Sequence, residues 1–177
     1  MDEAGIFERM RGDHRRVLET VAGIEADLLS GGTRSLGPRD EERLREACAL
    51  MEAQFTSHMA AEDEILYPSL METLPETRAS VLPLAAEHVE LWNMLARLTA
   101  TLGETAGPER DEQVAVQLRD FIDLLRIHIR KEEALVISVA EHVLRPREVE
   151  FLATRMALGA QAGHHAGPVE GQKGVRE

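Results

Sequence analysis

A chain of 177 residues suits one domain, and 44% hydrophobic with only 3% aromatic residues implies a core of Leu, Val, Ile, Met and Ala rather than of rings. A net charge of -12 argues against nucleic acid and against an anionic membrane surface as partners. No apolar run approaches the ~18 residues that span a bilayer, the first residues lack the apolar centre of a signal peptide, and the single cysteine, Cys48, cannot close an internal disulfide, so a cytoplasmic location is expected.

Helical periodicity dominates. The first predicted helix covers about 3–29, with Ile6, Met10, Val17, Val21, Ile24 and Leu28 on one stripe and His14 on or beside it; Ser30-Gly31-Gly32 stops it. The second opens near Pro38 with Asp40, Glu41 and Glu42 in its first turn, where acids suit the helix dipole. Its inner face is Leu44, Met51, Phe55, His58, Glu62 and Ile65. Tyr67-Pro68 predicts a break, followed by a short kinked turn that Pro75 closes.

The third helix begins between Glu76 and Pro83 and ends near Leu102, with Leu84, His88, Leu91, Leu95, Leu98 and Leu102 as its stripe. Gly103 to Gly107 forms a loop, and Pro108 starts the fourth helix, whose stripe is Leu118, Phe121, Leu125, His128, Glu132, Leu135 and Val139. After Arg145-Pro146, residues 146–158 form a short fifth helix, with Val149, Phe151, Leu152 and Met156 packing back on the bundle. Residues 159–177 are rich in Gly, Ala and charge, without period, and are expected to be a disordered tail. The two halves, 3–74 and 80–142, each form a helix pair, and neither pair can bury its apolar face alone. The expected fold is all-α: an up-down-up-down, left-handed four-helix bundle with a short C-terminal fifth helix, as one domain over 1–158.

One pattern occurs twice. His58 is followed four residues later by Glu62, and His128 four residues later by Glu132; i,i+4 residues share a helix face. Each pair is preceded by another histidine on the previous helix, His14 before the first and His88 before the second. A lone histidine or glutamate on an apolar stripe is usually a hydrogen-bonded core residue or a solvated one. Four histidines and two glutamates on the stripes of four successive helices are different: six polar groups in one core need a common partner, and a pair of cations supplies it. Imidazole with carboxylate suits Fe, Mn, Zn or Co. Two central carboxylates can bridge two metals, and the four histidines cap the ends, leaving positions open for an oxo or hydroxo bridge and for a small exogenous molecule.

The remaining polar residues carry weaker signals. Asp13, Asp63, Glu64, Glu87 and Glu133 flank ligands and are expected to be mostly solvated or to support a ligand. Tyr67 is expected to be a helix-end tyrosine with a wet hydroxyl, with a role as hydrogen-bond donor or oxygen ligand at the pocket as the alternative. Trp92 and Phe55 are candidates for the pocket wall, with ordinary core packing as the simpler account. His142 lies about 21 Å along the axis from His128, too far to ligate; His164 and His165 fall in the tail. Cys48 is expected to be an inert core thiol.

The six-residue pattern, together with His58-Met-Ala-Ala-Glu62-Asp-Glu-Ile-Leu-Tyr67-Pro68, resembles the hemerythrin-like, or HHE cation-binding, family over about 10–142. The resemblance implies a four-helix bundle with two iron ions, oxo- or hydroxo-bridged and not bound to haem. It implies Glu62 and Glu132 as bridges, His14 and His58 on one iron, and His88 and His128 on the other. Oxygen carriers of the family have a fifth histidine four residues from the third-helix one; here Trp92 and Leu84 occupy the positions four after and four before His88. The second motif lacks the Tyr-Pro of the first and has Val136-Ile137-Ser138 instead, so the fourth helix is expected to run straight. This four-His, two-Glu variant implies handling of H2O2, NO or O2, with peroxide disproportionation or a response to nitric oxide and oxidative stress favoured over reversible oxygen carriage. A module that senses or binds O2, NO or iron without turnover is the alternative. A ferritin-like oxidase would need Glu-x-x-His pairs, and no histidine here has an acid three residues before it.

Overall fold

The computed structural model describes residues 4–26, 35–151 and 153–154, and no strand occurs among them. Four long helices carry the chain: α1 (Ala4–Ile24), α2 (Pro38–Ala61), α4 (Arg78–Leu102) and α5 (Pro108–Glu132). Shorter pieces extend two of them, α3 (Tyr67–Thr73) after α2 and α6 (Ser138–Val143) after α5. Each long helix packs on two others in the closed order α1, α2, α4, α5 and back to α1. The expected all-α bundle is what forms. No described helix is long and apolar enough to cross a membrane.

The helix starts follow local chemistry. Pro38 and Pro108 occupy first-turn positions, where the missing N–H costs nothing. Asp40 accepts a hydrogen bond from the Gly37 N–H at 3.0 Å. At the end of the bundle away from the histidines, Arg110 and Asp111 are buried as a pair. Arg110 also bonds Glu41, and Asp111 accepts the Leu36 N–H at 2.9 Å, which ties the start of α5 to the segment leading into α2.

The core has two apolar blocks. One contains Val17, Val21, Leu44, Met51, Phe55, Leu91, Leu95, Leu118, Phe121 and Leu125. The other contains Ile6, Phe7, Met10, Leu66, Tyr67, Leu70, Val81, Leu84, Val136, Ile137 and Ala140. The predicted stripes of α1, α2 and α4 are buried through their described residues, except that His58 is partly exposed. On each long helix the apolar stripe is interrupted at one level, by His14, by His58 and Glu62, by His88, and by His128 and Glu132. The blocks lie on either side of that polar layer.

Two expectations about helix continuity are corrected. Tyr67-Pro68 does not break the chain: α2 passes through a π-helical turn, Glu62–Leu66, directly into α3. The Tyr67 N–H bonds the Glu62 carbonyl five residues back, and Pro68 falls in the first turn of the new segment, where a proline is tolerated. The fourth helix does not run straight either. A second π-helical turn, Glu133–Ile137, joins α5 to α6, with the Ser138 N–H on the Glu133 carbonyl. Because it forms without a proline, the proline is not its cause. Both turns start directly at or after the glutamate of the polar layer and widen the helix by one residue. That rotation buries Val136, Ile137 and Ala140 and turns Leu135, expected inside, out to 43% exposure. Beyond Arg145, residues 146–151 are helical and Val149 is buried, but Phe151 is 59% exposed instead of packed inward. Leu28, the glycine stop after α1, Leu152, Met156, His164, His165 and the predicted tail lie outside the described residues.

Candidate metal centre

The six predicted site residues converge on one buried layer. His14 and His58 bring their Nε2 atoms 2.9 Å apart, and His88 and His128 theirs 3.0 Å apart, forming two imidazole pairs. Glu62 lies between the pairs, with Oε1 2.7 Å from His58 Nε2 and Oε2 3.6 Å from His88 Nε2. Glu132 Oε2 is 3.3 Å from His14 Nε2 and 3.7 Å from His128 Nε2. Each carboxylate therefore faces one histidine of each pair. Donor atoms of His14, His58, Glu62 and Glu132 fall within one ion's reach, as do those of His88, His128 and Glu132.

The fit to cations rests on unmet polar atoms. Both oxygens of Glu62 and Oε2 of Glu132 are fully buried and make no hydrogen bond of acceptable geometry. An orphaned buried carboxylate costs several kcal/mol, on the order given for ions withdrawn from water. Cations between the pairs would satisfy all three atoms, and the donor set, imidazole with carboxylate, is one that iron, manganese, cobalt and zinc accept.

The outer nitrogen of each of the four layer histidines meets a carboxylate. Asp13 Oδ2 is 3.3 Å from His58 Nδ1, and Asp63 Oδ1 is 2.9 Å from His88 Nδ1. Glu87 Oε2 is 3.2 Å from His128 Nδ1, and Glu133 Oε1 is 3.2 Å from His14 Nδ1. With the proton on Nδ1, each ring donates outward and turns the Nε2 lone pair to the centre. The four contacts form a closed ring. Asp13 of α1 holds the histidine of α2, and Asp63, just after α2, holds that of α4. Glu87 of α4 holds the histidine of α5, and Glu133, just after α5, holds that of α1. Arg16 pairs with Asp13 and Lys131 with Glu87. Of the two roles expected of these acids, solvation or support of a neighbouring side chain, the contacts match support. The available signal was adjacency, since each stands next to a ligand (13/14, 62/63, 87/88, 132/133) and points about 100° away from it, toward the neighbouring helix. Glu64 is exposed.

The electrostatics of the metal-free layer are opposed. Burial pushes the Glu62 carboxyl up, and the charge of Glu132 adds to this. Burial acts the same way on Glu132, but His14, His128 and the Tyr67 hydroxyl outweigh it and hold that carboxyl down to about 2. Burial pulls the His58 imidazolium down, yet Glu62 and Asp13 overcome it and raise the group to about 10. For His88 the Asp63 hydrogen bond and the Glu62 charge likewise override burial and raise it; His128, for which burial prevails, is lowered. Without metal, the raised His58 and His88 and the raised Glu62 carboxyl favour protons where cations would lie.

Tyr67 overturns the wet-hydroxyl expectation. It is buried, its Oη donates to Glu132 Oε1 at 2.7 Å and lies 3.4 Å from His88 Nε2, and its ring stacks on His88 at 17° and 5.5 Å. The two half-sites are thus unequal, with a phenol against the His88/His128 pair. A cavity of about 20 Å³ adjoins the His14/His58 pair and also touches His128, walled by Val17, Phe55, Met59, Leu125 and Ile129, with Gln54 as the neutral polar lining residue. Phe55 is at the wall as expected. Trp92 is not: it packs edge-on behind Phe55 at 5.7 Å. Sequence reasoning passed over Gln54, although it stands one turn before His58 on the same face. His142 hydrogen-bonds the Ser138 carbonyl and is remote from the layer. Cys48 is buried, and burial raises its thiol to about 11, so it is inert.

A comparison with curated protein sequences returns no match. The family model of the hemerythrin HHE cation-binding domain matches residues 5–140, a span that contains all six converging side chains and the ring of carboxylates around them. The chain belongs to the hemerythrin HHE cation-binding domain family, and its buried His/Glu layer marks it as a metal-binding module.

Proposed function

We propose that this protein holds two iron ions and uses them to bind and turn over a small oxidant, with hydrogen peroxide disproportionation favoured and nitric oxide or oxygen as the other ligands. The ligands are His14 and His58 on one ion and His88 and His128 on the other, with Glu62 and Glu132 between them. The observation that carries this reading is the inequality of the half-sites: Tyr67 covers His88, and a cavity of about 20 Å³ adjoins both His14 and His58 and reaches only His128 of the other pair. Roughly 10–15 Å³ accommodates one water, so the space suits a diatomic molecule or peroxide and is too small for an organic substrate.

Bound iron would supply open coordination positions and electrons. The chain does the rest. The carboxylate ring fixes all four imidazoles with Nε2 inward. Val17, Phe55, Met59, Leu125 and Ile129 keep bulk water from the open side. Tyr67 steadies Glu132 through its hydroxyl. In the favoured reaction two H2O2 give two H2O and one O2, so no external reductant is needed. The apolar wall also favours the second reading, binding of NO or O2 without turnover, because apart from the ligands and Asp13 no titratable side chain lines the cavity.

The experiment is iron content and the ultraviolet–visible spectrum of protein purified in air, followed by peroxide addition at an oxygen electrode. Two irons per chain with evolved oxygen is the expected result. Two irons without oxygen evolution would select the binding module. Zinc alone, or less than one metal per chain, would overturn the di-iron assignment.

A further inference from the structure

Two spaces meet at the wall of the layer. The inner one is the small cavity beside His14 and His58. The outer one is an open groove of about 390 Å³ between α1 and α2, lined by Arg16, Glu19, Thr20, Leu50 and Met51. They share two wall residues, Val17 and Gln54. Val17 stands one turn after His14 and Gln54 one turn before His58, so the shared wall lies directly outside the two imidazoles. On the far side of the layer the buried Tyr67 ring, stacked on His88, closes the approach.

We propose that the groove between α1 and α2 is the route by which the small ligand reaches the His14/His58 half-site, and that Gln54, at its inner end, governs entry and hydrogen-bonds the ligand on arrival. The inference rests on the reading above that a metal pair takes an exogenous ligand there.

The two wall residues differ in what they can do. Val17 is buried and β-branched, with a stiff χ1. Gln54 is half-buried and has three side-chain torsions, so it can swing into the groove and back without disturbing the core. Its amide also supplies a donor that holds its proton at any working pH. Asp13, the other polar lining residue that is not a ligand, accepts from His58 and repels an anionic ligand. A ligand that draws electron density from the metal becomes negative at its outer atom, which an amide N–H stabilises and the surrounding Val17, Phe55 and Ile129 do not.

The test uses the iron-loaded protein and azide as probe, mixed by stopped flow and followed at the azide-to-iron absorption band. Gln54→Trp should slow association about tenfold or more while iron per chain is unchanged. Gln54→Leu keeps the bulk and removes the donor; association should stay within about threefold, and dissociation should quicken about tenfold, the equivalent of one hydrogen bond. Ile127→Trp, at an exposed position of α5, should alter neither. If Gln54→Trp loses iron, Leu50→Trp, further out in the groove, replaces it and should also slow entry. Wild-type rates in the Gln54 variants, or equal slowing in Ile127→Trp, would overturn the route while leaving the metal reading intact. A wild-type chain that holds no iron, or that holds iron and takes no azide, would instead remove the functional reading and this inference with it.

Discussion

Removing one oxygen atom tests the arrangement of the layer. In Tyr67→Phe the ring still fills its place in the apolar block, and only the hydroxyl on Glu132 Oε1 disappears. That hydrogen bond is short, buried and charge-assisted, because Glu132 is held in its ionised form. A bond of this kind contributes about 1.5–3 kcal/mol, and losing it strands a buried carboxylate oxygen. At about 2–4 °C per kcal/mol for a chain of this size, the metal-free protein should melt about 3–12 °C lower. The pH dependence has a definite sign. The Glu132 carboxyl is lowered from 4.5 to about 2, so its contribution is fully present above pH 4.5 and is lost as the pH falls toward 2. The gap between wild type and Tyr67→Phe should therefore be widest near neutrality and should close on acidification. Urea unfolding of both metal-free proteins at several pH values measures it. Metal content should not change, because all six nitrogen- and carboxylate-bearing ligands remain. Equal stability at pH 7, or a gap independent of pH, would refute the hydroxyl-to-Glu132 contact as the reason for burying Tyr67.

Two further outcomes follow from the same geometry. His58 is raised to about 10 without metal, so at pH 7 it carries a proton that a cation must expel. Loading Co2+ in weakly buffered solution at pH 7 should release at least one proton per chain, read with an indicator dye, and affinity should fall with pH; proton-neutral loading would contradict the charged His58. His58→Ala and Glu62→Ala should each lose at least one metal per chain by elemental assay, and two retained equivalents would show that the ligand set is wrong.

Much of this was legible because a polar layer interrupts an otherwise regular apolar period. His14, His58, Glu62, His88, His128 and Glu132 stand where the stripe requires Leu or Val, and stripes that face one core bring them together. What escaped the pattern was rotation about the helix axis. A 3.6-residue period assigns Leu135 to the core and assumes a straight fourth helix, and one extra residue in the turn Glu133–Ile137 moves Leu135 out and Ile137 in. Proline appeared to mark a break at Tyr67-Pro68, because the rule against proline assumes an uninterrupted i to i−4 ladder, which the π-helical turn had already shifted. The outer carboxylates were visible as letters but not as partners. Which neighbouring helix each one meets depends on the packing order α1, α2, α4, α5, which no local period contains.

That order makes the site one mechanical unit. Asp13 holds His58 and Asp63 holds His88, and both histidines face the two oxygens of Glu62. Loosening either ring lets Glu62 shift toward the other, so the two outer acids are coupled through a residue that neither touches. Asp13→Asn and Asp63→Asn keep size and remove charge. Singly, each should weaken the metal-free fold, since the raised state of His58 and His88 depends on these partners. Together their effects should depart from additivity by about 0.5–3 kcal/mol, the range for residues in one network. A double-mutant cycle in urea at pH 7, below the raised value of His58, measures the departure. Additivity within about 0.3–0.5 kcal/mol, the behaviour of independent sites, would mean that Asp13 and Asp63 act as separate contacts, each removable without consequence for the other.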